Sequence, residues 1–88
     1  MARSNAEAAI LALLAERDAG NTICPSEAAR LLAREHSRAD EWRSEMEAVH
    51  RAAARLAAKG TVVLMQGGAA VARPVGAYRI GSGEGAHP

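Results

Sequence analysis

Eighty-eight residues with 49% apolar side chains build one small domain, and a chain this short buries only about 60% of its unfolded surface, which leaves no room for a second domain or an enclosed catalytic cleft. Of the apolar residues 22 are alanine, and Trp42 and Tyr78 are the only aromatic ones, so the core is thin and helix is the favoured local structure. A net charge of +1 with 24% charged residues excludes collagen-like, disulfide-rich and membrane-spanning classes, and lies far from the basicity typical of nucleic-acid-binding domains. The charge is nevertheless uneven. Residues 1–47 carry six basic and nine acidic groups, whereas residues 48–88 carry five and one. The single cysteine cannot form an internal disulfide, which points to the cytoplasm. Arg3 followed by the apolar run 8–15 has the outline of a signal peptide, but Glu7, Glu16, Arg17 and Asp18 interrupt it and the run has helical periodicity.

Ser4 and Asn5 are good N-caps for a first helix over 6–19 carrying Ile10, Leu11, Leu13 and Leu14, with Gly20 placed to stop it. Thr22-Ile23 is long enough only for a short edge strand. Cys24-Pro25-Ser26-Glu27 then reads as a helix start: proline at the first helical position, Cys24 as an unusual cap, and Glu27 as the third-position acid that reaches back to it. This second helix extends to residue 34 or 35, burying Ala28, Leu31 and Leu32. After a polar connection, Asp40 caps a third helix over 41–59 that Gly60 ends. Trp42, Met46, Val49, Ala53 and Leu56 form its apolar stripe, with Trp42 as the anchor of the core, while Ser44, Glu47, Ala48, Arg51 and Arg55 lie opposite. Thr61–Gln66 is a β-rich run and Gly67-Gly68 a tight-turn signal. The strand partner is Ala69–Ala72, Ala77–Ile80 or both. Residues 81–88 have nothing to bury and read as a disordered tail after a single domain over 1–80.

Helix, short strand, helix, helix and hairpin is the order of a winged helix: an α+β, mostly helical domain with a three-helix helix-turn-helix core and a C-terminal β-hairpin wing. The stretch Thr22-Ile23-Cys24-Pro25-Ser26-Glu27-Ala28-Ala29-Arg30, together with Trp42-Arg43, Met46, Val49–Leu56 and Gly60, resembles a bacterial family of small uncharacterised winged-helix-like proteins. The resemblance covers about residues 6–80 and is most distinctive over Ile23–Glu27. It implies the fold and carries no catalytic residue across; DNA binding, the commonest role of the class, is an expectation from fold-level analogy.

On that expectation Ser44, Arg51 and Arg55 face a DNA major groove and Arg73 and Arg79 contact its backbone. Two features oppose it. Asp40, Glu41, Glu45 and Glu47 crowd the start of the third helix, an arrangement that also complements the helix dipole, and the wing tip Gln66–Ala70 carries no charge. Arg30, Arg34 and Arg38 recur every four residues, interleaved with acids as on a solvated helix face. Cys24 with His36, His50 and His87 forms no zinc-binding or nucleophilic signature, so no enzyme activity, cofactor or metal is expected. Double-stranded DNA is the first expected partner. Another protein, or a second copy of the chain, is the alternative, and a membrane is not expected.

Overall fold

A computed structural model of the chain describes residues 5–18 and 20–83. The element order is α1 (Ala6–Ala15), β1 (Thr22–Ile23), α2 (Pro25–Glu35), a 3₁₀ segment (Ala39–Glu45), α3 (Met46–Ala58), β2 (Val62–Gln66), β3 (Ala69–Ala70) and β4 (Arg79–Ser82). The strands form one antiparallel sheet in the order β1-β4-β2-β3. Three helices packed beside such a sheet make an α+β fold compatible with a winged-helix-like arrangement.

The helix ends follow local chemistry. Asn5 caps α1 by accepting a 2.8 Å hydrogen bond from the Ala8 amide. Cys24 precedes α2, Pro25 occupies its first position, and the Glu27 carboxylate accepts from the Cys24 amide at 3.2 Å. At the end of α3, Gly60 takes φ +79°, the Thr61 amide bonds the Leu56 carbonyl and the Gly60 amide bonds that of Ala57. That pattern closes the helix and reverses the chain into β2.

Four expectations need correction. The first helix ends at Ala15 rather than 19, because Leu14 is its last buried residue and Glu16, Arg17 and Asp18 have no apolar surface to cover. The third helix does not run unbroken from 41: residues 39–45 are wound as 3₁₀, with Glu41 at non-helical φ/ψ, and regular helix starts at Met46. The tighter winding rotates Trp42 off the stripe of Val49, Ala53 and Leu56, so the tryptophan sits half-buried at the edge of the core. The Arg30 and Arg43 guanidiniums lie 4.4 and 4.5 Å from its ring centroid. Finally, the expected tail contributes to the sheet: Gly81 and Ser82 belong to β4, and buried Gly83 donates to the Thr61 carbonyl at 2.9 Å. Residues 84–88 lie outside the described residues.

The partner of β2 is settled in favour of both candidates. Gly67 and Gly68, at φ +62° and +82°, turn the chain tightly so that β3 pairs with one edge of β2, and the chain returns to place β4 on the other. The core lies between helices and sheet. Ile10 and Leu14 of α1, Leu32 of α2 and Val49 and Leu56 of α3 meet Ile23, Val62, Leu64 and Ile80 of the sheet. Buried alanines 28, 29, 52 and 53 let the helices approach closely.

Candidate functional site

The exposed face of α3 and the segment joining β3 to β4 flank one open groove. Small side chains dominate that helix face: Ala48, Ala54 and Ala58 are exposed around Arg51, Arg55 and Lys59. Arg51 donates to Glu47 at 2.5 Å, one turn earlier. Arg55 donates at 2.8 Å to Glu7 of α1, and this hydrogen bond, with Lys59 nearby, holds the Glu7 carboxyl below the usual carboxylate pKa. Both pairs lie at the surface, where water and salt screen them, so both arginines are readily recruited by another anion.

The other expected site residues divide. Ser44 is exposed but lies on the 3₁₀ segment, where its hydroxyl donates to the Glu41 carbonyl at 2.6 Å and accepts from Arg38 at 3.0 Å. Arg79 is committed to the fold: its guanidinium donates to the Thr22 hydroxyl, to the Thr22 carbonyl at 3.0 Å and to Cys24 Sγ at 2.8 Å, tying β4 to β1 and to the start of α2. Arg73 stands exposed on the groove rim. Of the five expected residues, Arg73 alone lines this groove; Arg51 and Arg55 stand exposed on α3, paired with Glu47 and with Glu7 of α1, while Ser44 and Arg79 serve local geometry.

Cys24, Pro25 and Ser26 from the start of α2, Met46, His50 and Ala54 from α3, Leu64 from β2, and 72–74 with 76–78 enclose that groove, which has a volume of about 790 Å³. A smaller groove of about 440 Å³ shares Cys24, Ala77 and Tyr78 with it. His50 Nδ1 and the Tyr78 hydroxyl share a hydrogen bond of 2.7 Å, their rings 5.6 Å apart. Gln66 holds the segment above: its amide nitrogen donates to the Val75 and Ala77 carbonyls at 2.6 and 2.8 Å, and its oxygen accepts from the Val75 amide at 3.3 Å. None of these contacts had a local signal in the sequence, since each joins residues nine or more positions apart. Spacing rules do not reach that far.

Burial of Tyr78 raises its phenol pKa. A raised acid is stabilising while protonated: its contribution is fully present below the ordinary phenol value of about 10 and is lost as pH rises through the raised folded value. Urea midpoints are therefore expected to fall as pH rises above about 10, and to fall less in Tyr78→Phe. Equal falls in the two proteins would show that the phenol proton contributes nothing to folding.

Among the described residues no group of three or more His, Cys, Asp or Glu side chains is placed to hold a metal ion, and no helix is long and apolar enough to cross a membrane. No curated protein matches the chain. The model of one family does, over residues 3–83, and the family is described as proteins of unknown function. That span takes in every helix and strand described above, and the chain belongs to this family, DUF3253.

Proposed function

We propose that the chain is a non-enzymatic winged-helix module of the bacterial cytoplasm that binds double-stranded DNA, with Arg51 and Arg55 of α3 and Arg73 beyond β3 as its phosphate-contacting residues. The observation that carries this reading is the exposed face of α3. Alanines leave it slim enough to enter a major groove, and its cations are held only by exposed ion pairs that phosphate replaces at little cost. Acids near the start of that face and the uncharged wing turn limit affinity. With roughly four to six phosphate contacts, binding to arbitrary sequence in the range of about 10⁻⁴ to 10⁻⁶ M is expected, falling steeply with salt.

Fluorescence anisotropy of a labelled random-sequence duplex tests the reading. Wild-type protein is expected to bind at low salt and to weaken as salt rises, and the Arg51→Ala/Arg55→Ala variant to lose about two from the salt slope. Absence of binding at low salt and high protein concentration overturns it. A second reading, association with another protein or a second copy, is favoured by the exposed apolar Val75 at 88% and the chargeless turn at 67–70. Concentration-dependent sedimentation without duplex binding would establish self-association instead.

A further inference from the structure

The groove between α3 and the segment 72–78 has a composition at odds with the rest of the chain. Ten acidic residues occur in the sequence, yet among the described residues no aspartate or glutamate lines this groove. Its walls are mainly apolar, with Pro25, Met46, Ala54 and Leu64 among them, and the one formally charged side chain among the described residues that line it is Arg73. Unlike Arg17, Arg38, Arg51 and Arg55, Arg73 makes no ion pair among the described residues. A volume of about 790 Å³ falls within the range of clefts that take small organic ligands, roughly 300–1,000 Å³.

We infer that this groove binds a small amphipathic anion, a one- or two-ring or similarly compact apolar body carrying a single carboxylate or sulfonate. The apolar walls would bury the body, as the hydrophobic effect favours, and the unpaired Arg73 guanidinium would meet the anionic head in a charge-assisted hydrogen bond. The same rim disfavours a cation, which would meet Arg73 without a carboxylate to offset it. His50 and Tyr78, bonded to each other, add a polar edge without a formal negative charge, since a phenol is protonated at neutral pH. Duplex binding is not required for this assignment. The ligand's position against both α3 and the segment beyond β3 does, however, put it in contact with the two elements proposed to meet DNA.

The test uses two probes with the same N-phenylnaphthylamine body. One is 8-anilinonaphthalene-1-sulfonate, which carries an anionic head; the other is N-phenyl-1-naphthylamine, which does not. Both are titrated by fluorescence into wild type, Arg73→Ala and Ala54→Trp, with far-UV circular dichroism to verify folding. Saturable binding of one sulfonate probe per chain is expected. Arg73→Ala should weaken the sulfonate about tenfold and leave the neutral probe unchanged, and Ala54→Trp should abolish both by filling the groove. In wild type, amide chemical shifts should move at Met46, His50 and 72–78, a readout that stands even if a variant fails to fold. Equal effects of Arg73→Ala on both probes, non-saturable binding, or shifts confined to another surface would each overturn the assignment.

Discussion

Ile80→Ala is expected to destabilise the protein by about 2–5 kcal/mol. Ile80 is completely buried in the interior strand β4, opposite Ile23 of β1 on one side and Leu64 of β2 on the other. Truncation removes apolar contacts with both neighbours and leaves a cavity that rigid flanking strands cannot readily close. A domain of this length holds about 4–13 kcal/mol at roughly 0.05–0.15 kcal/mol per residue, so the variant stands near the edge of folding. With a urea slope near 1 kcal/mol per molar, the midpoint should fall by about 2–5 M, or the native baseline should disappear. Ile80→Val, which keeps most of the volume, should cost about 0.5–1.5 kcal/mol. If the alanine variant unfolded within about 1 kcal/mol of wild type, the packing of β4 into the core would be refuted.

Gly83→Ala should also be severe, for a different reason. A methyl group at this position would lie 2.3 Å from the Gly60 carbonyl oxygen and 3.1 Å from two carbonyl carbons, of Gly60 and Thr61. All three are backbone atoms. They belong to the turn that closes α3 and begins β2, so relief requires moving that turn or giving up the bond from the Gly83 amide to Thr61. Forced repacking of this kind costs typically about 1–3 kcal/mol, which corresponds to a fall in Tm of about 4–20 °C. Gly81→Ala supplies the comparison. There the nearest atoms are γ-methyl groups of Thr22 and Val63, at 3.2 and 3.5 Å, which need to give by only a few tenths of an ångström, and the change should be milder. Calorimetry on the two variants separates them; equal Tm values would contradict the close approach of residue 83 to Gly60.

What was legible in the sequence was what depends on neighbours within about four residues. Asn5, Pro25 with Glu27, and Gly60 mark helix ends through hydrogen bonds to nearby backbone, and the structure places them so. Gly67-Gly68 likewise marked the tight turn. The 3₁₀ winding of 39–45 was not legible, because Trp42 and Met46 fit an α-helical stripe equally well and the deciding contacts come from elsewhere. Glu45, for example, is drawn to His36 at 2.9 Å, and Arg30 reaches the Trp42 ring from α2. Residues 81–83 looked like tail since glycine and serine carry no apolar signal, yet backbone pairing alone suffices to build a strand. At the candidate site, the exposure of Ser44, Arg51, Arg55, Arg73 and Arg79 followed from helix periodicity and polarity. Their partners did not: the link from Arg55 to Glu7 spans 48 residues and that from Arg79 to Thr22 spans 57.

The position of β4 also constrains the order of assembly. It is the last strand among the described residues, but it separates β1 from β2, which do not pair with each other. As the chain leaves the ribosome, the three helices can meet while β1 and β2 still lack the strand between them. The sheet, the Arg79 bonds to Thr22 and Cys24 and the seal at Gly83 become available together, once residues 79–83 have emerged. A nascent chain in which β4 has not yet emerged would thus expose the apolar edges of Ile23 and Leu64, ready to pair with a neighbouring polypeptide.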